Sequence, residues 1–139
     1  MADKLDYMLN GINPSSTGTF YSEAFPTNKL RDLSVLLLIP TTAGSGSDTL
    51  DISIEESDQR DFTDAERIRT VLLTAPGGTT ASQFTQVVGG TSSPNSTLQQ
   101  KFNLKDNTYN RFVRVKYVIA GTATNFTDIT LIMTSNERV

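Results

Sequence analysis

The sequence predicts an all-β fold: an antiparallel β-sandwich, jelly-roll-like, of about eight strands, with a short N-terminal arm. Three observations carry this. RFVRVKYVIAG (111–121) alternates strictly, with Val113, Val115, Tyr117 and Ile119 on one face and Phe112, Arg114, Lys116 and Val118 on the other. Successive strand side chains point to opposite faces, so one face is apolar and suits a core, and the other is largely basic. TLDISIEES (49–57) repeats the pattern, with Leu50, Ile52 and Ile54 inward and Asp51, Ser53 and Glu55 outward. Segments of this kind recur roughly every 10–15 residues between Gly, Pro, Asn and Ser clusters, which fits a sandwich rather than alternating βα units.

In chain order, residues 1–18 form the first unit. Leu5, Met8, Leu9 and Ile12 lie at i, i+3, i+4 and i+7, the spacing of a helical stripe. Asp3 stands where an N-cap fits, Gly11 where the turn ends, and Asn13-Pro14 breaks any helix. So short a helix is marginal alone in water. The unit is therefore expected to be an arm or short helix that packs on the domain or docks on another molecule. Residues 19–139 then form a single β-sandwich domain.

Residues 19–25 are expected as a first strand of mixed character, suited to an edge or interface, and closed by Pro26. Residues 33–39 are nearly all apolar and read as a central strand covered on both faces, ended by Pro40. TTAGSGSD (41–48) is a loop, and 49–57 is the next strand. Further strands are expected at 66–73, 82–88 and 97–104, with turns at 75–78, 89–94 and 106–110. Residues 111–120 and 127–134 are expected to pair as an antiparallel hairpin, with Ile129, Leu131 and Met133 inward.

Composition narrows the function. The chain has 139 residues, enough for one domain, and 37% are apolar, with Ser, Thr, Asn and Gly filling the rest as in half-solvated sheets. It has no Cys and no His, which removes disulfides, thiolate metal sites, the commonest general base and the commonest metal ligand. Net charge is −3, whereas nucleic-acid binders carry a basic excess. The longest apolar run, 35–39, is far too short to span a bilayer. MADKLDYMLNGINP lacks the basic start and apolar centre of a signal peptide, so synthesis in a cytoplasm is expected.

No motif supplies catalytic chemistry. The stretch with Asp58, Asp61 and Asp64 lacks the spacing of a calcium loop and suits a turn with side-chain capping. Glu55 and Glu56 are adjacent and point to opposite faces of a strand, so they cannot form a glycosidase pair. Gly77-Gly78 and Gly89-Gly90 lack the Lys of a phosphate loop. No enzyme activity, cofactor or metal is expected. The better candidate site is the face with Arg114 and Lys116. If residues 50–57 pair with this strand, Asp51 and Glu55 can sit opposite the cations, each exposed pair contributing a few tenths of a kcal/mol to about one.

Two segments carry a family resemblance. LDISIEESDQRDFTDAERI (50–68) resembles the strand and acidic turn of many tailed-phage head and virion proteins, in which an alternating strand ends in an E-S-D-type turn followed by Phe. Here Gln59-Arg60 replaces a small, Gly-containing turn. RFVRVKYVIAGTATNFTDITLIM (111–133) resembles their C-terminal hairpin, an Arg-aromatic-Val/Ile-Arg strand that turns through a Gly/Thr loop and returns with an F-T-containing strand. With the short arm, the chain resembles a head cement or decoration protein of a tailed bacteriophage.

The resemblance implies a virion protein that forms a homodimer or homotrimer on the outer capsid surface and bridges major capsid subunits. Many copies on a symmetric lattice multiply modest contacts. The implied partners are the major capsid protein and the chain itself, without nucleic acid or membrane. Candidate contacts are Leu5, Tyr7, Met8 and Leu9 of the arm, Phe20, Tyr21 and Phe25 of the first strand, and Arg114 and Lys116, since aromatics, Met and Arg are enriched at interfaces. The alternative is a ligand- or carbohydrate-binding module of a phage tail or fibre, or a head–tail or tail component. Deleting residues 1–14 is expected to weaken capsid attachment and leave the fold intact.

Overall fold

The computed structural model describes residues 3–27, 30–39, 42–74, 80–90, 99–102 and 111–137. Its strands are β1 (Asp3–Ile12), β2 (Gly18–Tyr21), β3 (Phe25–Pro26), β4 (Leu30–Leu38), β5 (Thr49–Ser57), β6 (Arg69–Thr70), β7 (Leu73–Thr74), β8 (Thr80–Ala81), β9 (Val87–Val88), β10 (Gln99–Phe102), β11 (Phe112–Ala120) and β12 (Ile129–Glu137). Short 3₁₀ turns lie at Ala65–Arg67 and Ala123–Asn125.

The strands form two antiparallel sheets packed as a sandwich. Sheet A runs β1-β12-β4-β10-β7-β8. Sheet B runs β2-β11-β5-β6, with β3 also on β11 and β9 also on β5. Leave out the short pieces β3, β7, β8 and β9, keep the equally short β6 that ends the path of sheet B, and number the eight remaining strands in chain order. Sheet A then reads first-eighth-third-sixth and sheet B second-seventh-fourth-fifth. That order interleaves two Greek keys and is the jelly roll.

The core lies where the predicted inward faces meet. Leu33, Val35 and Leu37 of β4, Leu50, Ile52 and Ile54 of β5, Val113 and Val115 of β11, and Leu131 of β12 are at most 1% exposed. Each such side chain contributes roughly 1.5–3 kcal/mol on burial. β4 is central, flanked by β12 and β10, as its apolar run predicts.

The N-terminal unit differs from its sequence reading. Residues 3–12 form a strand on β12, not a helix or a free arm, and Met8 and Leu9 are 4% exposed in the core. The register with β12 shifts between Tyr7 and Leu9 and again between Leu9 and Ile12. Each shift adds one residue to β1, and Gly11 takes a φ of 61° at the second. A strand with two bulges carries its apolar residues at spacings of three and four, which imitate a helical stripe.

The expected hairpin of residues 111–120 with 127–134 is also absent. β11 pairs with β2, β3 and β5, whereas β12 pairs with β1 and β4. Residues 121–128 instead cross from one sheet to the other at the end of the sandwich. The expected strands at 19–25 and 66–73 are shorter pieces, β2 with β3 and β6 with β7, and of the expected strand 82–88 only Val87–Val88 is a strand, β9. The break at Ser22 is bridged, since its N–H donates to the Val115 carbonyl at 2.9 Å and its Oγ accepts from the Val115 N–H at 2.8 Å. Of the expected strand 97–104, residues 99–102 are β10, and the rest lies outside the described residues. The turns at 75–78 and 106–110 also lie outside them.

The crossing is held by one carboxylate. Asp48, 5% exposed, accepts from Thr122 N–H at 2.7 Å through Oδ1. Its Oδ2 accepts from Ser45 N–H at 3.0 Å and Asn125 Nδ2 at 2.9 Å, and its carbonyl accepts from Gly89 N–H at 2.8 Å. Three loops meet at this residue. Gly121 has a φ of 86°, and a Cβ there would stand 2.3 Å from Asp48 Oδ1, so only glycine fits.

The N–H groups of Ser45 and Thr122, then the Asn125 amide, hold the Asp48 carboxyl below the usual carboxylate range. A depressed folded value stabilises the fold above the unfolded value of about 3.9, and this is lost as pH falls through the folded value. Asp48→Asn is therefore expected to lower the melting temperature at pH 7 and to flatten the acid-side decline below about pH 4, read by thermal melts across pH. Deleting residues 1–14 removes two core side chains. The fold is expected to lose about 4 kcal/mol or more in urea unfolding, since each core truncation costs about 2–5.

Candidate functional site

The outer face of sheet B brings charged and aromatic side chains into contact. β5 and β11 pair without interruption, and the register sets Arg114 opposite Glu55, Lys116 opposite Ser53 and Val118 opposite Asp51. Of the two expected acid–base pairs, only Arg114–Glu55 forms. Arg114 donates to Glu55 Oε1 through Nε at 2.9 Å and Nη2 at 2.8 Å. Asp51 is held by amides instead, accepting from Gln86 Nε2 at 3.0 Å and Gln83 Nε2 at 3.2 Å.

Arg114 is enclosed by two rings. Its guanidinium lies 3.9 Å from the Tyr21 ring centre and 4.4 Å from that of Phe62. Tyr21 comes from β2, and Phe62 from the acidic turn after β5. Phe62 has a φ of 49°, a left-handed conformation that costs a bulky residue roughly 1–2 kcal/mol. The cost is offset because the turned chain lays the ring on the sheet, where it is 7% exposed. Each cation–π contact contributes about 0.5–2 kcal/mol. Arg60, in the same turn, lies 4.8 Å from the Phe112 ring centre.

The rest of the turn is tied by its own charges. Arg67 reaches Asp58 at 2.7 Å and Asp64 at 3.2 Å. Asp64 caps the 3₁₀ turn, accepting from Glu66 N–H at 3.1 Å. Asp61 Oδ1 accepts from Thr63 N–H at 3.4 Å. The three aspartates thus cap and brace a turn. Beside them Glu56 points to the core side of β5 and accepts from Arg69 Nη2 at 2.7 Å. Burial pushes its carboxyl above the usual range against the opposing effect of Arg69. A raised folded value favours the fold at low pH, and that contribution is lost as pH rises through it.

The predicted contact residues divide between places. Tyr21 and Arg114 touch, and Lys116 stands opposite Tyr21 in the β2–β11 register. Phe20 faces the other way and stacks on Tyr117 at 5.4 Å between ring centres. Met8, Leu9 and Phe25 are core residues and offer no exposed contact. Tyr7 is 51% exposed on sheet A, next to Leu5 in the same strand, whose side chain lies outside the described residues. Phe62 is absent from the sequence-based set, because nothing local in DQRDF indicates a left-handed residue folding its ring back.

No family model and no curated protein sequence matches the chain. Among solved structures, it is similar to the crystal structure of the SPBc2 prophage-derived protein YomS, with a TM-score of 0.54 and 12% sequence identity. The match covers 96% of this chain and 92% of that one. At this identity the likeness establishes a shared fold.

Glu55→Gln is expected to cost about 1.5–3 kcal/mol in urea unfolding, the range for hydrogen bonds to a charged group, because it leaves Arg114 uncompensated between its rings. Equal stability of the variant and the parent would show the pair to be dispensable.

Proposed function

We propose that this chain is a structural protein of a phage virion, a head cement or decoration protein that binds the outer capsid surface and bridges major capsid subunits. The observation that carries this reading is the jelly-roll fold shared over 96% of the chain with a prophage-derived protein. The segments at 50–68 and 111–133 support it, because they form β5 with its acidic turn and the β11–β12 crossing. The role asks for a rigid scaffold with exposed surfaces and no chemistry. Its affinity comes from repetition of one contact on a lattice.

The surface that suits the capsid is the outer face of sheet B near β2. Tyr21 is 47% exposed there, and the Arg114–Glu55 pair holds it in place from below. A preorganised aromatic beside the half-buried Lys116 is what an anchoring contact requires. A second reading, a ligand- or carbohydrate-binding module of a tail fibre, draws on the polar part of the same face. There Asp51, Gln83 and Gln86 form a hydrogen-bonded group.

The two readings separate by sedimentation. The protein is mixed with phage heads lacking it, pelleted and quantified. It is expected to saturate at a fixed number per head, with Lys116→Glu weakening binding at least tenfold and leaving the melting temperature unchanged. Failure to pellet with heads, together with retention on a glycan array, would replace the first reading with the second.

A further inference from the structure

We infer that Lys116 receives a carboxylate of the partner protein, an Asp or Glu side chain, at a site flanked by Tyr21 and Ser53 on the outer face of sheet B. This rests on the virion reading and names the chemistry of its sheet B contact. The register sets the three residues in one row. Lys116 of β11 pairs with Tyr21 of β2 on one side and with Ser53 of β5 on the other. All three point outward: Val115, Ile52 and Ile54, beside them in the chain, are buried, and Tyr21 lies on Arg114. Directly opposed residues stand about 4.5–5.5 Å apart at Cβ, so a group bound at Lys116 meets both neighbours.

The other charges on this face are already satisfied. β5 and β11 turn Asp51, Glu55, Arg114 and Lys116 outward. Glu55 and Arg114 bind each other, and Asp51 accepts from Gln83 and Gln86. Asp51 and Glu55 are the two carboxylates diagonal to Lys116, so both are committed elsewhere. Among the described residues the Lys116 ammonium has no ion pair or hydrogen bond, and neither has the Ser53 hydroxyl. Both side chains are half-buried, which strips part of their hydration. An incoming carboxylate accepts from both. The Tyr21 ring and half-buried Val118 line the same place, and a partner seated on them keeps water from the new ion pair and strengthens it. The surroundings also select what carries the anion. Nucleic acids and anionic membranes present many phosphates and are held by several free cations. Here one cation is bordered by Asp51 and Glu55 and by the Asp58, Asp61 and Asp64 turn, in a chain of net charge −3. A single carboxylate on a folded surface meets Lys116 without facing those acids.

The test loads the protein onto phage heads lacking it and adds a water-soluble carbodiimide, which joins a carboxylate to an amine in direct contact. Digestion and mass spectrometry are expected to find Lys116 linked through an amide to an Asp or Glu of a head protein. In pelleting assays Lys116→Met, which keeps the apolar stem, is expected to weaken binding roughly tenfold, and Lys116→Arg to retain most of it, as for a charged contact across an interface. Wild-type binding is expected to fall between about 50 mM and 500 mM salt, and that of Lys116→Met to change much less. Both variants are expected to melt with the wild type. A drop in melting temperature would show that Lys116 already has a partner in the fold and would overturn the inference. Heads that bind wild type and Lys116→Met equally, with no cross-link at Lys116, would overturn it and leave the virion reading standing. A wild type that does not pellet with heads would remove the virion reading and this inference with it.

Discussion

The nine cross-strand pairs between β5 and β11, from Thr49↔Ala120 to Ser57↔Phe112, constrain everything else in the molecule. Side chains alternate along both strands, so this register decides which residues form the core and which form the outer face. A slip of β11 by one residue would move Val113 and Val115 into water and Arg114 into the core. The observed register puts Arg114 beside Glu55 and leaves room above Arg114 for the two rings. The charged face is thus a consequence of how the apolar faces match.

The two ends of the sandwich are stabilised by opposite uses of carboxylates. At one end Asp48 gathers N–H donors from three loops and keeps its charge readily. At the other, Glu56 sits on the core side of β5 with Arg69, and burial makes its charge costly. Their contributions change with pH in opposite directions, Asp48 favouring neutral conditions and Glu56 acid. The faces differ in the same way. One is charged and aromatic, and the other carries the apolar row of Tyr7, Ile132 and Leu36.

Much of this was legible in the chain where the signal was local. Alternation at 49–57 and 111–120 identified the two central strands of sheet B, and the apolar run at 33–39 identified the centre of sheet A. The Arg114–Glu55 pair followed from alternation once the strands were paired, but the partners of Asp51 and Lys116 did not, because register is not written in either strand alone. The N-terminal strand imitates a helix in sequence because its two bulges give Leu5, Met8, Leu9 and Ile12 a helical spacing. β11 and β12 resemble a hairpin in sequence, yet Asp48, far away in the chain, pins their connection across the sandwich end. The Phe62 ring and the Tyr7–Ile132–Leu36 row arise from tertiary placement, so no window of sequence contains them.

We propose that this jelly roll works as a surface-bound part of a phage head. Cryo-electron microscopy of heads carrying the protein tests it most directly. Sandwich-shaped density is expected on the outside of the shell, seated where capsid subunits meet, with the Tyr21 side of sheet B toward the shell. Density confined to the tail, or a shell whose outer surface is unchanged by the protein, would contradict it.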